Sequence, residues 1–206
     1  MNMTRWMVWF ARRAWQMGTL CALLLTGCAS DQQKISAINE VNKGFRAAYE
    51  KLLAEKGKRV YRYSRADAFL AMRVTLAGLG MRTEQQDLSL GHLAVAAAAP
   101  LPLSDEEWRR ASEADLPLLQ SLVEPVVGVG ARFVKFEPQG LEVVINATVL
   151  DTAAGTEVAL TVRLREIAPP RSGWPRREYV APHLLEAGLE KIFSAFEREL
   201  RAGPQP

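Results

Sequence analysis

Cysteine and histidine are nearly missing from this chain, two of each in 206 residues. Cys21 stands inside an apolar run and Cys28 just after it, so residues 29–206 contain no thiol. That stretch can hold no disulfide framework, no redox pair and no thiolate metal site. His92 and His183 lie far apart, and neither has carboxylates at ligand spacing. No metal site, no histidine acid–base pair and no cofactor is therefore expected, and the chain reads as non-enzymatic. Acidic side chains are absent before Asp31. An unbroken apolar run of about 20 residues, the length of a spanning helix, is also missing. Arg12-Arg13 separates the apolar patch at 6–11 from the one at 14–25.

The N-terminus has three parts in order. Arg5, Arg12 and Arg13 make a positive opening, residues 14–25 make an apolar run densest at 20–25, and small residues Thr26 and Gly27 precede Cys28. This is the layout of a signal peptide. Leu25-Thr26-Gly27-Cys28 resembles the lipobox of bacterial lipoproteins. The resemblance implies cleavage after Gly27, lipid on Cys28 and attachment of the remaining chain to a membrane. Residue 29 is Ala rather than the Asp that resembles an inner-membrane retention signal, so the implied address is the periplasmic face of the outer membrane. Ala14-Trp15-Gln16 does not continue the Arg pair as a twin-arginine signal would.

Cleavage there would leave 179 residues, enough for one domain with a substantial core. All three opening arginines would go, so 26 basic side chains become 23, level with the 23 acidic ones. A neutral chain has no global basic field, and nucleic acid is not an expected partner.

The expected organisation is a signal at 1–27, a lipidated cysteine and polar tether at 28–34, and one domain at 35–206. Ile35, Ile38, Val41, Phe45, Ala48, Tyr49, Leu52 and Leu53 recur at helical spacing, and Gly57 is placed to end that helix. Its stripe either docks on the domain or receives a partner helix. A strand at Val60, Tyr61 and Tyr63 leads to Ser64 and Asp67, a helix-capping arrangement. The helix that follows is expected to bury Ala66, Phe69, Leu70, the Arg73 stem, Leu76 and Ala77, and to stop at Gly78 and Gly80. Residues 81–87 and 92–99 read as a hairpin around a turn at 88–91. A small helical insertion at 100–127 holds two short helices. One is capped by Ser104 and Glu107 and carries Trp108; the other starts at Asp115 and Pro117. Residues 131–137, 141–150 and 156–167 alternate with period two and read as three antiparallel strands. A Pro- and Arg-rich crossing at 169–182 follows. Pro182 then opens a last helix with the stripe Leu185, Leu189, Ile192, Phe193, Phe196 and Leu200. The fold class is α+β: an antiparallel sheet of about five to six strands covered by long helices.

Residues 61–95 carry an aromatic strand, a capped helix, Leu79-Gly80-Met81, a strand ending at Asp87, Gly91 and a further strand. This pattern resembles the repeated domain of BamC-type lipoproteins, accessory subunits of the outer-membrane protein assembly machine. The resemblance implies a helix-grip fold. The helical insertion departs from it, and only one such unit is present.

Other motifs read as structure. Ser89-Leu90-Gly91 is a turn rather than a nucleophile elbow. Asp105, Glu106 and Glu107 favour the positive end of a helix. Gly128-Val129-Gly130 lacks the third glycine of a phosphate loop. Arg163 and Arg165 read as a solvated sheet face. Candidate binding residues are Arg171, Trp174, Arg176, Arg177 and Tyr179, because Trp, Tyr and Arg dominate binding hot spots and four prolines stiffen their segment. The expected role is a non-catalytic accessory or scaffold in envelope assembly, with a membrane and an envelope protein as partners. The alternative is a carrier holding an apolar ligand or lipid between sheet and helix, as helix-grip folds can.

Overall fold

The computed structural model describes residues 31–168 and 176–203. The order of elements is α1 (Asp31–Lys56), β1 (Lys58–Tyr61), α2 (Arg65–Gly78), β2 (Arg82–Asp87), β3 (His92–Ala98), α3 (Asp105–Val127), a 3-10 helix (Gly128–Phe133), β4 (Leu141–Thr152), β5 (Gly155–Glu166), β6 (Glu178–Tyr179) and α4 (Pro182–Ala202). The class is α+β, as expected, with every strand pairing antiparallel. The strand order is β1-β5-β4-β3-β2. β6 joins β5 on the same side as β1, β1 at the start of β5 and β6 at its end.

Period-two alternation sorts the sheet into two faces. Leu93 and Val95, then Val143, Ile145, Ala147 and Val149, then Val158, Leu160, Val162 and Leu164 form matched cross-strand rows and are buried. α1, α2 and α4 lie on this face, and α3 packs over α1 and α4. All six stripe residues of α4 are buried, with Phe193 and Phe196 wholly inaccessible. Tyr61 stands edge-on to Phe196 at 5.2 Å, and the Arg59 guanidinium sits over the Phe193 ring at 4.5 Å. Both side chains come from the edge strand β1, so α4 is clamped at that edge as well as by the centre of the sheet.

α1 docks on the domain: Val41, Phe45 and Leu52 are buried. It starts at Asp31, so residues 31–34 are helical rather than tether. α2 has the expected Ser64 cap, in which the hydroxyl oxygen accepts the Asp67 backbone N–H at 3.1 Å. Its buried face is Ala68, Phe69, Met72, Thr75 and Leu76, which keeps only Phe69 and Leu76 of the expected set. Ala66, Leu70, Arg73 and Ala77 are exposed. Leu70 and Val74 make the outer side apolar too, so the pattern alone does not choose a face.

Two expectations fail between residues 100 and 137. α3 is one helix that runs through Pro117 and Pro125, not two. Ser104 and Glu107 form the reciprocal capping box at its start, but Asp115 starts no helix. Residues 131–137 form no strand: a 3-10 helix comes first, and the chain then crosses to β4 unpaired. Trp108 explains the crossing. Its indole N–H donates to the Phe136 carbonyl at 2.9 Å, and the Phe136 ring lies between Phe45 and Tyr179. The sixth strand is β6, not 131–137.

Candidate functional site

Cys28, Arg171 and Trp174 lie outside the described residues. Arg176, Arg177 and Tyr179 lie inside them, at the sheet edge where β6 meets the end of β5. β6 consists of two residues, so side chains supplement its backbone pairing. The Asn42 amide of α1 donates to the Glu178 carbonyl at 2.8 Å, and Arg163 reaches the Glu178 carboxylate at 2.9 Å. The Tyr179 hydroxyl donates to the Glu166 carboxylate at 2.7 Å. Burial pushes the Tyr179 phenol above its ordinary pKa, and the bonded Glu166 carboxylate pushes it further. The phenol is therefore a neutral donor, unsuited to act as a base. Arg177 faces the same carboxylate at 3.7 Å.

Arg176 enters a second network. One oxygen of Glu142 accepts from Arg176 at 2.9 Å and from Arg165 Nε at 2.7 Å, while Arg165 Nη2 donates to Glu84 at 2.9 Å. Glu142 is buried to 7% exposure on the sheet face away from the helices. Burial alone would lower the Arg165 pKa; the charges and hydrogen bonds of Glu142 and Glu84 more than offset that and raise it. Arg163 and Arg165 therefore do not form the merely solvated face the alternation predicts. They tie three strands and the β6 approach together. Toward the other end of this face the cross-strand rows turn small and polar, with Ala94, Asn146 and Thr161 in one and His92, Thr148 and Ala159 in the next.

A histidine does meet a carboxylate, at the start of α4. His183 Nδ1 is 2.8 Å from Asp115 Oδ1. The same oxygen accepts the His183 backbone N–H, and Oδ2 accepts that of Leu184, each at 3.2 Å. Asp115 is only 1% exposed. It therefore caps α4 from another helix, which α4 needs because Ala181 at its N-cap offers no side-chain acceptor. Among the described residues no hydroxyl is hydrogen-bonded to Nε2 of His183. His92 sits on β3, paired across from Asp87 and Thr148. Among the described residues no group of three or more His, Cys, Asp or Glu side chains is placed to hold a metal ion.

The residues quoted for the 61–95 resemblance have a local explanation. Asp87 Oδ1 accepts the Leu90 N–H at 3.0 Å and the Ser89 hydroxyl at 2.6 Å, building the β2–β3 turn. Arg65 donates to the carbonyls of Leu88 and Ser89. Gly91 has φ +65, and a Cβ there would come within 2.0 Å of the Val149 carbonyl oxygen. Residue spacing reveals neither Arg65, Glu142 nor Asp115 as an organising residue, since each acts on a distant segment. Only the preference of Asp for orphan N–H groups hints at the Asp115 role. No family model, curated protein or solved structure matches the chain.

Proposed function

We propose that the chain is a non-catalytic lipoprotein of the outer membrane, facing the periplasm, that serves as an accessory or scaffold in envelope assembly. One observation carries the reading: Leu25-Thr26-Gly27-Cys28 closes a short apolar run behind a positive, acid-free opening. Among the described residues no helix is long and apolar enough to cross a membrane, so in this reading the lipid supplies the attachment. A single acyl chain binds only marginally, with a constant of about 10⁴ M⁻¹, so stable residence needs several chains on Cys28. The carrier alternative is weaker, because the α4 stripe that would line a ligand cavity is buried in one continuous core with the sheet.

Fractionation tests the address. Wild type should incorporate labelled palmitate and travel with outer-membrane markers, while Cys28→Ala should do neither. Equal palmitate incorporation and equal fractionation of the two would sink the reading. The partner surface proposed at Arg171, Trp174, Arg176, Arg177 and Tyr179 needs a separate test, because Arg176 and Tyr179 also hold the sheet edge. Trp174→Ala, which leaves the Arg176–Glu142 bond intact, should lose recovery of an envelope partner with its melting temperature held. A large drop in melting temperature, or unchanged recovery, would remove this segment from the account.

A further inference from the structure

We draw no further inference here: the strongest candidate, the surface patch that Val60 and Leu150 make on either side of Glu157 toward the β4–β5 turn, is exposed apolar surface, and nothing among the described residues shows what covers it.

Discussion

Asp115 ties the middle of α3 to the start of α4. Its two carboxylate oxygens satisfy two orphan N–H groups at the start of α4 and orient His183. Asp115→Ala should cost about 1–3 kcal/mol in urea unfolding, because the donors are left buried and unpaired. Asp115→Asn, which keeps one acceptor, should cost less; equal losses would mean that the carboxylate acts through charge alone. Glu107 gives a pH signature. Its hydrogen bond to Lys191, then that to the Ser104 backbone, hold its pKa down to about 2 from an ordinary 4.5. A depressed folded pKa means that this stabilisation is fully present above pH 4.5 and lost as the pH falls toward 2. The side chain is 44% exposed, so solvent screens the effect to about 1 kcal/mol or less. Acid titration of stability should show a shallower fall over that window in Glu107→Gln than in wild type. An unchanged slope would remove Glu107 from the acid response.

At the scale of elements, the long regular pieces were legible and the irregular ones were not. The α4 stripe reads correctly because its opposite face is polar, so burial has one solution. Phe193→Ala or Phe196→Ala should cost roughly 3–5 kcal/mol, measured by denaturant midpoint at constant slope. A loss below about 1 kcal/mol would mean that the helix is held from elsewhere. α2 lies where the pattern puts it, but only Phe69 and Leu76 of its expected face are buried, since Leu70 and Val74 compete with Met72 for the core. Residues 131–137 looked like a strand because local alternation cannot say whether a partner edge exists; Trp108 and Phe136 decide that from 28 residues apart. The same limit hid the second helix that never starts at Asp115. Cap chemistry reveals that a residue seeks N–H donors, not that the donors lie 68 positions away. At the candidate edge, residue types pointed to recognition. The ties of Arg176 to Glu142 and of Tyr179 to Glu166 depend on pairings no local window contains.

For the whole molecule, the start of α1, the end of α3 and β6 lie toward one end of the sheet. The opposite end holds the β4–β5 turn and the clamp of Arg59 and Tyr61 on α4. The proposed function turns on lipid at Cys28, so the N-terminal peptide is the place to look. Protein purified in detergent from the envelope and digested with trypsin should yield a first peptide that begins at Cys28, ends at Lys34 and carries the mass of a diacylglyceryl group. The account predicts that this lipidated peptide replaces any peptide crossing Gly27-Cys28. A chain still starting at Met1, or a Cys28 thiol that alkylates freely, would contradict it.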